Sequence, residues 1–185
     1  MGRKLELELN EDTGSLKYYG ARIVLSQESF YSRIQKAIES TGFAGLAHRM
    51  MYENGEQSTF EAVSAAEKAF ISTSRILVKR KLIERLLLLA LERGFGLLRL
   101  GSFDYASGKG TVLIENSVVA RTYGKSAKSV CFLLCGILSG AAQIVYGGCF
   151  ICEENQCSAV KGAICEFSLK PCSQAEREKF LKKLT

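Results

Sequence analysis

The spacing of hydrophobic and polar positions changes character along this 185-residue chain. In KLELELN, Leu5, Leu7 and Leu9 alternate with charged residues, the two-residue period of a half-buried strand. ARIVLS gives a second short strand and leads to Ser26, a suitable cap for a helix over residues 27–39. Residues 43–52 read as another helix, closed by Gly55. Ser58-Thr59-Phe60-Glu61 has the form of a capping box and predicts a helix running to about Ile71. Residues 76–93 carry the strongest helical pattern of the first half. They are apolar nearly all round, at Leu82, Ile83, Leu86, Leu87 and Leu89, as expected of a helix buried on most sides.

Beyond residue 94 strands take over. Residues 95–104 and 110–115 alternate like strands, and the glycines and serine of YASGKG suit a hairpin turn between them. A long apolar helix follows over 126–146, then strands over 150–154 and 163–169. The single proline, Pro171, sets off a helical tail over 172–185. Helices first, then a meander of strands interrupted by one buried helix, predict an α+β fold with helices packed on an antiparallel sheet. The length suits a single domain over 1–185.

Composition narrows the function classes. With 47% hydrophobic and 24% charged residues, the chain is that of an ordinary globular protein. The net charge of +6 is spread out rather than massed. Its densest runs are Lys79-Arg80-Lys81 and the tail around Arg177, Lys179, Lys182 and Lys183. There is no tryptophan, and the first run holds no aromatic residue. A solvated helix face accounts for such runs, and no nucleic-acid partner is expected. The basic start has no apolar stretch behind it, and the longest apolar run, 130–142, falls short of the ~20 residues that span a bilayer. A cytoplasmic location is the expectation. There, seven cysteines, an odd number, favour metal ligation or catalysis over a disulfide framework.

The chemistry concentrates in VCFLLCGILSGAAQIVYGGCFICEENQCSAVKGAICEF. His48 is the only histidine, so a zinc site here must rest on cysteine and carboxylate. Cys157 and Cys165 can meet across a turn centred on Lys161-Gly162. Glu154 reaches the same point if its strand turns, and the apolar helix offers Cys131. Cysteine also fills cores as a small hydrophobe, so spacing alone leaves both readings open.

The stretch also resembles a known family. Glu115-Asn116-Ser117 closing a strand, Cys131 with Gly136 and Gly140, Glu154-x-x-Cys157-x-Ala159, and then Gly162, Cys165 and Phe167 are similar to the 4-vinyl reductase (4VR) domain family. These are also called hydrocarbon-binding domains, and relatives serve as sensor modules of aromatic-responsive activators. The resemblance runs from about Tyr19 and is clearest over 115–169. It implies a zinc ion held by Cys131, Glu154, Cys157 and Cys165. With no ligand position open, such a metal is structural.

The resemblance further implies a small-molecule pocket between helices and sheet. Cys135 lies one helical turn beyond Cys131, Leu138 continues that stripe, and Cys152 shares a strand face with Glu154. These three are the candidate ligand-binding residues, with core filling as the alternative. Gly136 and Gly140 suit close packing of the helix. Phenol-sensing relatives hold the ligand hydroxyl with a histidine and a tryptophan, which points away from phenol in this tryptophan-free chain. No catalytic residue stands out, and Cys149, Cys172 and His48 carry no legible role. The reading is a zinc-stabilised, sensor-like module for an apolar small molecule, a homodimer without a fused effector, signalling to a separate effector protein. Alternatives are an enzyme or accessory factor in tetrapyrrole vinyl-group reduction, or a scaffold subunit.

Overall fold

The computed structural model describes residues 7–18, 21–64 and 76–185. The order of elements is β1 (Leu7–Asn10), β2 (Ser15–Tyr18), β3 (Ala21–Ile23), α1 (Phe30–Glu39), α2 (Ala44–Ser64), α3 (Ile76–Glu92), β4 (Leu97–Phe103) and β5 (Gly110–Glu115), followed by α4 (Val118–Tyr123), α5 (Phe132–Tyr146), β6 (Phe150–Gln156), β7 (Ile164–Pro171) and α6 (Gln174–Leu184). The strands form two antiparallel sheets, β1-β2-β3 and β4-β5-β7-β6. The α+β expectation holds.

The larger sheet buries one face. Register pairs Val112 with Phe167 and Ile114 with Cys165, while Cys152 sits opposite Leu169 and Glu154 opposite Phe167. Val112, Ile114, Cys152, Cys165, Phe167 and Leu169 are all buried, whereas Glu153, Glu166 and Ser168 on the other face are not. Alternation with period two thus produces an inner apolar face and an outer polar one. Each large side chain so buried contributes about 1.5–3 kcal/mol.

Over that inner face lies α5, which is apolar on every side because it is covered on two: the sheet below and α2 above. The crossing is close because glycines face it. A Cβ on Gly136 would stand 1.9 Å from the Tyr52 carbonyl oxygen, and one on Gly55 would stand 2.2 Å from that of Leu133. A buried polar knot reinforces the contact. Ser139 and Gln143 of α5 donate to Oε1 of the buried Glu56, and Arg177 of α6 pairs with its Oε2.

Several local expectations are corrected. Residues 43–52 and the segment from Ser58 form one helix, α2, that passes straight through Gly55. Glycine serves there for close approach to α5 rather than as a stop. Ser58 caps nothing; its hydroxyl donates to the Gly55 carbonyl inside the helix. The expected continuation to Ile71, like Leu5 of the first strand, lies outside the described residues. Ser29, not Ser26, precedes α1. The β1 strand is exposed at all four positions rather than half-buried. Among the described side chains of α3, only Leu82, Ile83 and Ala90 are buried, so these cover the core with one face.

The helix expected from residue 126 begins at Phe132, with Cys131 as its N-cap residue. The preceding loop is held against the β6–β7 turn, where the Ser126 amide donates to the Ala159 carbonyl. A short helix, α4, precedes it. Asn116 takes a left-handed conformation (φ 54°), and Ser117 then accepts from the Ala120 amide as N-cap. Among the described residues no helix is long and apolar enough to cross a membrane.

Candidate metal centre and adjoining clefts

Three separate local devices bring four ligand atoms together. Cys131 is delivered at the N-terminus of α5, with its sulfur 3.6 Å from the Ser117 hydroxyl that caps α4. Glu154 lies on the inner face of β6, and a register shift between Glu154 and Gln156 turns the strand immediately after it. That bulge lets Cys157, three residues on, return to the same point. The turn then folds back on itself, with the amides of Val160 and Lys161 both donating to the Cys157 carbonyl. Cys165 comes from the inner face of β7, next to Gly162, whose φ of +83° only glycine adopts readily.

The ligand atoms of Cys131, Glu154, Cys157 and Cys165 all lie within 4.8 Å of one another. The Cys131 sulfur is 4.0 Å from that of Cys157 and 3.9 Å from that of Cys165. A tetrahedral ion with bonds to sulfur of about 2.3 Å sets its sulfurs roughly 3.8 Å apart. The cluster can therefore hold a metal ion. One atom tests that fit. Glu154 Oε2 accepts from the Cys131 amide at 3.0 Å, but Oε1 is buried with no partner among the described residues. An orphaned carboxylate oxygen beside three thiols is a cost unless a cation satisfies it.

The electrostatics agree. Burial pushes the Glu154 carboxyl up to about 7. The Cys131 thiol is raised well above its usual value by its hydrogen bonds to Cys157 and Cys165 and by burial. Cys165 goes the other way, down to about 2, because Cys131 and Cys157 donate to its sulfur. Ser158 supports the same atom: its amide is 3.3 Å away and its hydroxyl 3.2 Å. Ser117 and Ser158 are supporting groups that sequence reasoning passed over. Ser117 stood inside the quoted Glu115-Asn116-Ser117 motif, and Ser158 directly follows a ligand cysteine.

The remaining candidates divide. Cys135 and Cys152 line a cleft of about 170 Å³ beside the metal cluster, together with Tyr52, Phe132, Glu153, Glu154 and Phe180. The Tyr52 hydroxyl accepts from the Cys152 amide at 3.1 Å. Burial and the neighbouring Cys152 thiol raise the Cys135 thiol well above its usual value, so it stays neutral. Leu138 does not share that space. It faces a second cleft, of about 50 Å³, bounded by α3, α5 and the sheet. Ile83, Leu86, Leu87, Leu100, Phe103 and Ile137 are among its walls, and among the described residues no charged side chain lines it. His48 stacks on Phe132 with ring centres 4.0 Å apart and bonds Glu39 at 3.2 Å, a satisfied boundary residue.

Residues 111–171 match the family model of the vinyl-4-reductase (4VR) domain. All four ligand residues, Cys131, Glu154, Cys157 and Cys165, fall inside that 4VR segment. The fold extends the likeness further. The chain is similar to the crystal structure of the phenol-responsive sensory domain of the transcription activator PoxR with phenol, at 19% identity and a TM-score of 0.78. That alignment covers 95% of this chain and 90% of the other. A vinyl-4-reductase family protein from Methanocaldococcus jannaschii is similar at 16% identity and a TM-score of 0.50, over 78% of each chain. Both likenesses are of fold. A search of curated proteins finds no match.

Proposed function

We propose that this protein is a zinc-stabilised sensor module that binds an apolar small molecule between α3 and the sheet. The observation that carries the reading is the cleft at Leu138, walled by apolar side chains from α3, β4 and α5, with no charged group among the described residues that line it. Ligand sites are commonly lined this way. Its volume of about 50 Å³ corresponds to roughly four waters, which suits one small ring or alkyl group. The fold neighbour that responds to phenol supports a ligand of this size class.

Zinc is the proposed ion because thiolates and a carboxylate in a tetrahedron suit it better than hard cations. Four protein ligands leave no position for water or substrate. Bound there, the ion supplies cross-linking rather than reactivity, tying the α5 N-terminus, the β6 bulge and β7 together. Thiolate ligands suit a reducing compartment, and the cytoplasm is the proposed location. The ligand-induced output would pass from α3, half-buried and in contact with the cleft, to a separate effector protein.

The cleft is tested by filling it. In Leu86→Trp and Leu138→Trp proteins, titration with a naphthalene sulfonate probe should lose most of the wild-type signal while zinc content stays unchanged. Leu86 is only half-buried, so its variant should also keep a melting temperature near wild type. Undiminished probe binding in both variants would remove the cleft from the account.

A homodimer is proposed on the apolar surface left uncovered. Leu9 is 65% exposed on the β1 strand, and Phe43, Leu46 and Met50 are exposed at the start of α2. Gly136 and Gly140, the first candidates for such a contact, are instead used inside the chain against α2. Sedimentation should give twice the 20.3 kDa chain mass, and Leu9→Lys should shift it toward one. A single-chain mass at micromolar concentration excludes the dimer.

A further inference from the structure

Cys149 and Cys172 lie apart from the metal cluster, at the other end of β6 and β7. Phe150 pairs with Pro171 at that end, so the two cysteines are directly opposite one step further out, and the Cys172 amide donates to the Cys149 carbonyl at 2.9 Å. Opposed residues of this kind have Cα atoms about 5.5 Å apart, inside the range a disulfide spans. Their sulfurs are 3.2 Å apart, with the Cys172 thiol donating to Cys149. Closing that gap needs a shift of about 1 Å to reach bond length. The Gly147-Gly148 turn before Cys149 can supply it, because a Cβ on either glycine would meet nothing within 4 Å. Both cysteines are half-buried and reachable, whereas the other five are buried.

From this geometry we infer that Cys149 and Cys172 form a reversible disulfide, a modification site taking peroxide as oxidant. The Cys149 thiolate attacks one oxygen of hydrogen peroxide. The O–O bond breaks, and the departing hydroxide takes a proton to leave as water. The Cys172 sulfur then attacks the resulting Cys149 sulfenic acid. The S–O bond breaks, a second water leaves, and two thiols have given up two electrons and two protons. The hydrogen bond sets the order, because the acceptor sulfur is the better nucleophile. The Arg177 guanidinium interacts with Cys149 and Cys172 alike and favours the thiolate form there.

The consequence falls on α6. Ser173, its N-cap, directly follows Cys172. The helix carries Arg177 to the buried Glu56 and sets Phe180 against Tyr52, with ring centres 5.2 Å apart. Oxidation would pin the root of this helix to the start of β6, and reduction would release it. Intracellular disulfides are commonly of this transient, sensing kind.

The test uses the full-length, zinc-loaded protein treated with a few equivalents of hydrogen peroxide, alkylated and mapped by peptide mass. Two of the seven thiols should become unreactive, as one peptide linking Cys149 to Cys172, with zinc retained and dithiothreitol reversing the change. In Cys172→Ser protein the link should vanish, and dimedone should label Cys149. In Cys149→Ser protein neither product should form. Peroxide treatment that leaves both cysteines freely alkylated overturns the inference. So does a link confined to Cys131, Cys157 or Cys165 with release of zinc.

Discussion

Replacing Cys165 by serine should abolish zinc binding and lower the melting temperature by roughly 6–20 °C. Cys165 is the ligand that most other groups serve: its sulfur lies 3.9 Å from that of Cys131 and receives both the amide and the hydroxyl of Ser158. A serine oxygen is a poor substitute for thiolate at zinc. Without the ion, Glu154 keeps a buried oxygen that no described residue satisfies. Leaving a buried charge uncompensated typically costs about 3–5 kcal/mol, and each kcal/mol shifts a domain of this size by about 2–4 °C. Calorimetry and elemental analysis on the same sample check both parts. A strong chelator should bring wild-type protein down to the same temperature and leave the variant unmoved. Full zinc occupancy in Cys165→Ser protein would contradict the ligand set.

A change of one methyl group should do as much damage far from the metal. In Gly136→Ala the new Cβ would stand 1.9 Å from the Tyr52 carbonyl oxygen, a backbone atom that cannot swing aside. Alanine is the better helix former by about 1 kcal/mol, so any destabilisation must come from forcing α2 and α5 apart. The loss should exceed ~4 kcal/mol, the size reserved for severe core disruption. Gly140→Ala, with its nearest neighbour at 3.0 Å, should cost about 1–2 kcal/mol, and Gly148→Ala, with open space around it, close to nothing. Urea denaturation midpoints should fall in that order. Equal midpoints for Gly136→Ala and Gly148→Ala would mean that the helices are not packed backbone to backbone.

The parts of this protein that were legible in its sequence are those specified by short-range pattern. The β4–β5 hairpin, the inner-face alternation of β6 and β7, and the tail helix all follow from spacing within a few residues. So does the proposed ligand set, once motif intervals are compared with a family, and the β6 bulge supplies the turn that Glu154 and Cys157 needed. What was misread depends on partners distant in the chain. Gly55 looks like a helix stop until α5 is seen against it. Residues 126–131 look helical until Ser126 is seen bonded to Ala159. Cys135, Leu138 and Cys152 were assigned one space because spacing puts them on neighbouring stripes. In fact α5 stands between two clefts and contributes to both. The Cys149 and Cys172 pairing needs strand register, which no local pattern shows.

The central claim is a closed site of three sulfurs and one oxygen that stitches helix, bulge and strand together. X-ray absorption at the zinc edge of the zinc-loaded protein tests it directly. The expected result is one zinc per chain, with three sulfur neighbours at about 2.3 Å and one oxygen at about 2.0–2.2 Å. Glu154→Gln should alter the oxygen shell alone. A shell of four sulfurs, or one unchanged when Cys157 or Cys165 is replaced, would contradict it.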